Sequence, residues 1–218
     1  NRSASVRMTA PAMPWHPWWS LMQTLALLLC FLSSSSNSNP PSSHVFNSPA
    51  LKCFTLRTSG NQTTLLARPG NHHIGAEVLK FDFPISLRSE SELSKPVVQG
   101  EGNATLSLRG NSSGDATDSS NSESFVSRMG FQSLDGDSSG GNSNPCITVK
   151  QARVQFGGCD INSQGGFGLH AIDSPRIVCW NCNISGCGSA GIVLDGRSQM
   201  LVRELKCMRN GDAGIVVR

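Results

Sequence analysis

The chain has 218 residues, with 18 Lys and Arg against 15 Asp and Glu, a formal net charge of +3. That mild balance, without a basic run interleaved with aromatics, excludes a dedicated nucleic-acid binder and implies no acidic substrate. Ser, Asn and Gly are abundant, aromatics are 6% and Tyr is absent, which suits short strands and turns better than a helical bundle.

Near the start, residues 13–43 hold one apolar stretch, Leu21 to Leu32. It is too short for a stable membrane span and has the length of a signal-peptide h-region. Translation from Met8 or Met13 places no Lys or Arg before it, and no clear small-x-small cleavage site follows. Residues 1–50 therefore read as a low-complexity, targeting-like, disordered segment, with residues 51–218 as the folded part. The chain opens without Met and stops on the strand-like "GIVVR", so it reads as a fragment incomplete at its C-terminus. Sequons at Asn61, Asn103, Asn111 and Asn183 arise readily by chance at this composition and decide no compartment.

Next, "TTLLARPGNHHIGAEVLKFDFPISLRSE" predicts short strands around a Pro-Gly turn. His72 and His73 point opposite ways on such a strand, with no acid partner evident, and read as polar edge residues. Residues 109–124 and 134–145 are polar and Gly/Ser-rich and read as long corner loops.

The last third aligns in rows of 23 residues beginning at Gln151, Ser174 and Arg197. Val154, Ile177 and Met200 share a column, as do Phe156, Cys179 and Val202. Further columns are Cys159, Cys182, Leu205 and Ile161, Ile184, Cys207. After glycines 165, 188 and 211, then 168, 191 and 214, come Leu169, Ile192, Ile215 and Ala171, Leu194, Val217. Within each row the apolar positions alternate with polar ones, which is strand periodicity; a helix would need spacings of three and four. Three short strands per row, with rows that must stack to bury their faces, predict an all-β fold, a right-handed parallel β-helix. Stepping back by 23 from Met200 meets Ile177, Val154, Phe131, Leu108 and Ile85, and predicts that one column continues through the earlier coils.

The cysteines Cys179, Cys182 and Cys187 have spacings that suggest zinc, but no second close pair exists and His170 falls in an outward column. They share columns with apolar residues, so they read as core thiols, and no metal or cofactor is expected. Stacked reduced thiols favour the cytoplasm or nucleus, with secretion the alternative if Leu21–Leu32 is a true h-region. On the outside, Asp160, Asn183 and Lys206 form the best polar column, a weak candidate because it holds one carboxylate where sugar hydrolysis needs two. Asp173 and Asp195 lie near corners, Glu204 follows Asn181 with no acid below it, and Arg176 and Arg203 lie in different columns. No catalytic residue is assigned. An apolar outward column, Ile147, His170, Val193 and Val216, is the candidate binding face, with Val178 beside Leu201 a second outward apolar pair.

These residues resemble a known group. "LLARPGNHHIGAEVLKFDFPISLRSE", "GNATLSLRG" and "CDINSQGGFGLHAIDSPRIVCWNCNISGCGSAGIVLDG" are similar to the parallel β-helix repeats of F-box/β-helix ubiquitin-ligase adaptors and SHC-SH2-binding proteins. The repeat motif of that group is matched by Cys159-Ile161 with Gly168-Leu169, and by Cys182-Ile184 with Gly191-Ile192. It is matched more loosely by Leu205-Cys207 with Gly214-Ile215. The resemblance spans roughly residues 60–218 and implies a non-enzymatic protein-binding surface; no F-box is readable in residues 1–50. The expected function is a scaffold for a protein partner, with a secreted carbohydrate-active or carbohydrate-binding β-helix as the alternative.

Overall fold

The computed structural model describes residues 49–59, 62–110, 123–134 and 144–218. The apolar run Leu21–Leu32, the sequons at Asn61 and Asn111, and most of both Gly/Ser-rich loops lie outside the described residues. Among them, no helix is long and apolar enough to cross a membrane.

A short 3-10 helix, Pro49–Cys53, leads into β1 (Phe54–Ser59), which pairs antiparallel with β2 (Gln62–Ala67). Every later pairing is parallel. The first coil is β2, β3 (Asn71–His73) and β4 (Leu79–Phe81), and the second is β5 (Ile85–Ser89), β6 (Val97–Gly100) and β7 (Leu106–Arg109). The third is β8 (Glu123–Ser127), β9 (Gly130–Ser133) and β10 (Ile147–Lys150). The fourth is β11 (Arg153–Gly157), β12 (Asp160–Ser163) and β13 (Leu169–Ile172). The fifth is β14 (Arg176–Trp180), β15 (Asn183–Ser185) and β16 (Ile192–Asp195), and the sixth is β17 (Met200–Arg203), β18 (Lys206–Met208) and β19 (Ile215–Val217). Stacking them gives three sheets. The first runs β1-β2-β5-β8-β11-β14-β17, the second β3-β6-β9-β12-β15-β18, and the third β4-β7-β10-β13-β16-β19.

The alternation in the sequence sets which side chains go inside. In β11, Val154 and Phe156 are completely buried while Arg153 and Gln155 face out; β14 repeats this with Ile177 and Cys179. The aligned columns stack as read: Phe156 pairs with Cys179 and Cys179 with Val202, Ile161 with Ile184 and Ile184 with Cys207, Ala171 with Leu194 and Leu194 with Val217. At about 25 cal/mol per Å² of apolar surface removed from water, these stacked columns are the main stabilising contribution.

The 23-residue stride does not extend to the earlier coils. Leu108 pairs with Val149, Phe131 with Ile161, and Leu169 with Ile147, so successive rungs lie 41, 30 and 22 residues apart. The single column through Phe131, Leu108 and Ile85 is therefore not one ladder: Phe131 sits in the second sheet, Leu108 in the third and Ile85 in the first. All three are buried nonetheless. Alternate residues of every strand point inward, so a wrong stride still lands often on core.

The turn from first to second sheet is made in each of the last four coils by one residue with positive φ: Arg128, Gly158, Asn181 and Glu204. That conformation costs about 1–2 kcal/mol for a residue with a Cβ. At the first three it is held because the corner amide donates to the next coil: Arg128 to the Gly157 carbonyl (2.8 Å), Gly158 to that of Trp180 (2.9 Å) and Asn181 to that of Arg203 (2.9 Å). The corner before the third sheet needs glycine for space. A Cβ on Gly191 would lie 2.5 Å from Cys207 Sγ and 2.8 Å from the Gly214 carbonyl oxygen.

The two ends differ. At the start, the 3-10 helix and β1 bring Leu51, Cys53 and Phe54 against the core, and the Arg68 amide donates to the Cys53 carbonyl (3.1 Å). In the sixth coil, Val202, Ile215 and Val217 occupy inward columns but are 41%, 46% and 72% exposed.

Candidate binding face on the first sheet

Each sheet turns one face outward, and the three carry different chemistry. On the third sheet, the column read as Ile147, His170, Val193 and Val216 is one residue out of step at its beginning. Ile147 pairs with Leu169 and is completely buried in the core; Thr148 is the neighbour of His170. The cause is the 22-residue rung between β10 and β13. His170, Val193 and Val216 do stack, but they do not form an open face. Val193 is completely buried, and His170 Nε2 lies 2.6 Å from Asp195 Oδ2. Phe167 packs edge-on against the His170 ring, with the Arg218 guanidinium 6.0 Å above Phe167. This column is covered.

The outer face of the second sheet is polar. Asp160, Asn183 and Lys206 stack as read, and the Asp160 carboxylate is taken by Lys95 Nζ at 2.8 Å. Amides line the next column, where Gln99 donates to Gln132 (2.9 Å) and Asn162 to the Ser185 carbonyl (2.8 Å). His73 has an acid partner that the sequence reading lacked: its Nε2 is 3.1 Å from Glu101 Oε1, both exposed. The strands bring these together although 28 residues separate them. His72 bonds instead to the Arg68 carbonyl (2.7 Å). Asp160 lies two rungs from the strand preceding Glu101 and four residues along it. At about 4.8 Å per rung and 3.3 Å per residue that is roughly 16 Å, beyond the 6.5–9.5 Å at which a carboxylate pair hydrolyses a glycosidic bond.

The outer face of the first sheet is open along its later coils, where Trp180 and Leu201 are exposed, while Ser86 in the second coil is buried. Its central column runs Ser86, Phe125, Gln155, Val178 and Leu201. The strand alternation that buries Ile177 and Cys179 forces Val178 outward, and Leu201, beside it, is 63% exposed. Two residues along each strand comes a second column of Arg88, Ser127, Gly157, Trp180 and Arg203. Trp180 is 45% exposed and lies over Gly157, where an added Cβ would run into the indole. On the other side of the apolar column stand Glu123, Arg153 and Arg176. Glu123 accepts from Gln155 Nε2 (2.7 Å) and lies 3.9 Å from Arg176, whose side chain is 58% exposed. At the corner leading into this face, Gln151, Asp173, Pro175 and Arg197 line a cleft of about 500 Å³.

Sequence reasoning noticed Val178 and Leu201 but not Trp180 or the arginines as their surroundings. The signal was present in parity: Arg176, Val178 and Trp180 alternate with Ile177 and Cys179.

Cys179, Cys182 and Cys187 belong to the wall. Cys146, Cys159, Cys179, Cys182, Cys187 and Cys207 are free thiols. Cys159 Sγ donates to the Val126 carbonyl (3.4 Å), and Cys182 Sγ to that of Phe156 (3.5 Å), one coil later. Bonds from the Cys159 and Cys179 thiols hold Cys182 below the usual thiol range, and the same bonds, with burial, push Cys159 and Cys179 above it. Burial pushes Cys146 up to about 12 and Cys187 to about 11. Among the described residues no group of three His, Cys, Asp or Glu is placed to hold a metal ion.

Residues 132–218 match the family model described as right handed beta helix region. Those coils are a right-handed β-helix. The strands before residue 132 extend the same three parallel ladders, so the β-helix begins at β2, with β1 as an antiparallel addition to its first sheet. Neither the curated proteins nor the solved structures contain a match to the chain.

Proposed function

We propose that this β-helix is a non-enzymatic scaffold that binds another protein through the outer face of its first sheet. The observation that carries the reading is the contiguous Val178–Leu201 column with Trp180 beside it, apolar and open to solvent on a rigid parallel sheet. Exposed apolar patches of this kind mark partner contacts, and Trp and Arg are the residues that most often dominate the energy of such contacts. The sequence resemblance to β-helices that hold protein substrates supports the same reading. The sugar-cleaving alternative has less support, since the acids of the polar second sheet are dispersed and already paired.

The test is site-specific photo-crosslinking in the protein's native cells, with the probe at Val178 and, as control, at Asn183 on the second sheet. The expected result is a discrete cross-linked protein at Val178, absent at Asn183 and lost when Leu201→Asp is added. Equal cross-linking at both positions, or a Val178 adduct insensitive to Leu201→Asp, would overturn the reading.

A further inference from the structure

The geometry points to an acidic protein segment with an apolar anchor as the occupant of this face, an inference that rests on the docking reading above. The outward strand positions of the first sheet carry Arg57, Arg88, Arg153, Arg176 and Arg203. Glu123 is the acid among them within the described residues; Gln155 donates to its Oε2, and its Oε1 lies 3.9 Å from Arg176, offsetting part of one flank while the rest of the guanidinium groups outnumber it. The chain as a whole is only +3, so this is a concentration of charge rather than a basic protein seen from one side. The second sheet, by contrast, sets Lys95 against Asp160 and His73 against Glu101.

The arrangement is specific as well as positive. The two arginine-bearing columns stand two residues either side of the apolar one, roughly 6.6 Å away at strand spacing. A partner therefore meets an apolar strip flanked by guanidinium groups on both sides. Arg176 lies on one flank and Arg203, 82% exposed, on the other. Arg197 at the rim of the corner cleft extends the first flank. Arg203 lies 3.8 Å from Glu204, but both are exposed, and such a surface pair is worth at most about 1 kcal/mol. It does not cancel the flank.

Guanidinium groups prefer carboxylates in paired, planar contacts, and they lose less on desolvation than ammonium groups do. A segment with an apolar side chain between acidic ones satisfies both parts of the strip: the apolar residue on Val178, Leu201 and the Trp180 ring, the carboxylates on the arginines. A nucleic-acid strand fits less well. It asks for a series of exposed aromatic platforms, whereas the open part of the column here is Val178 and Leu201 with one exposed indole beside them, Phe125 standing two rungs away and half-buried.

A random-peptide library selected against the full chain tests this, with parallel selections against Arg176→Glu/Arg203→Glu, Leu201→Asp and the control Lys206→Glu. Circular dichroism and cooperative unfolding establish that each variant folds. Supporting the inference, the wild type and Lys206→Glu enrich sequences with acidic residues around an apolar one. The double arginine variant then binds those peptides about tenfold or more weakly, as expected for lost interfacial charge pairs. Enrichment of neutral or basic peptides that Leu201→Asp abolishes would overturn the acidic partner and leave the docking face standing. No enrichment, or enrichment indifferent to Leu201→Asp, would overturn both. Tighter, arginine-dependent binding of a labelled single-stranded RNA oligomer would overturn the protein partner itself.

Discussion

The first and sixth coils occupy equivalent places in the same ladders, yet their inward residues differ in burial. In the first, Leu65, Ala67 and Leu79 are buried, because β5 to β7 stack on one side while the 3-10 helix and β1 close the other. In the sixth, Val202 and Ile215 stand directly beside Cys179 and Ile192, which are fully buried, yet remain nearly half exposed. Residue type is similar in both; the neighbouring coil makes the difference. Stability in this molecule is therefore a property of adjacency, as expected of a repeat whose units contact only their neighbours.

The largest test of that contrast compares truncations in one column. Phe156→Ala, in a coil covered on both sides, is expected to cost about 3–5 kcal/mol, whereas Val202→Ala costs about 1 kcal/mol or less. Urea unfolding of both variants measures the difference; equal losses would show that the sixth coil is as tightly packed as the fourth. A second comparison uses corner glycines. Gly191→Ala must displace Cys207 and the Gly214 carbonyl and is expected to lose about 1–3 kcal/mol. Gly214→Ala, whose nearest contact is 3.6 Å, loses less.

A third prediction uses pH. Burial by flanking coils raises the Cys146 and Cys187 thiols from their ordinary value of 9.0. The unfolded chain therefore releases protons at a pH where the folded one still holds them. The stability these thiols confer is complete below pH 9 and lost on rising toward 11 and 12, at about 1.4 kcal/mol per pH unit for each thiol. Alkaline unfolding followed by fluorescence should show this, and Cys146→Ala should flatten the slope. The smallest effect is a gain. Gln151 sits at φ 51° in the turn from third to first sheet, and Gln151→Gly is expected to raise stability by up to about 1 kcal/mol, readable as a small rise in Tm.

How much was legible beforehand follows from the same adjacency. The rows from Gln151 onward could be aligned because their coils have one length, so identical positions recur and the columns declare themselves. The earlier coils could not, because insertions between β7 and β8 and between β9 and β10 change the count while leaving the ladders intact. One such irregularity, the 22-residue rung at Ile147, was enough to move that residue from the outer face to the core. The covering of Val193 was not legible at all, since alternation reports which way a side chain leaves its strand and not what lies over it. His73 and Glu101 meet only because β3 and β6 are neighbours across a coil.

The corner residues Arg128, Gly158, Asn181 and Glu204 turn the chain in the same way in the third to sixth coils. From the third coil on, the dihedral between the first two sheets is thus reproduced from coil to coil, while length variation there is confined to the other two corners. Removing residues 174–196 would join Asp173 to Arg197, two residues that already stand on either side of one such repeat. The face presented to a partner would then shorten by a single rung, about 4.8 Å, without changing its angle. The molecule is a graduated ruler, and its reach can be set in whole divisions.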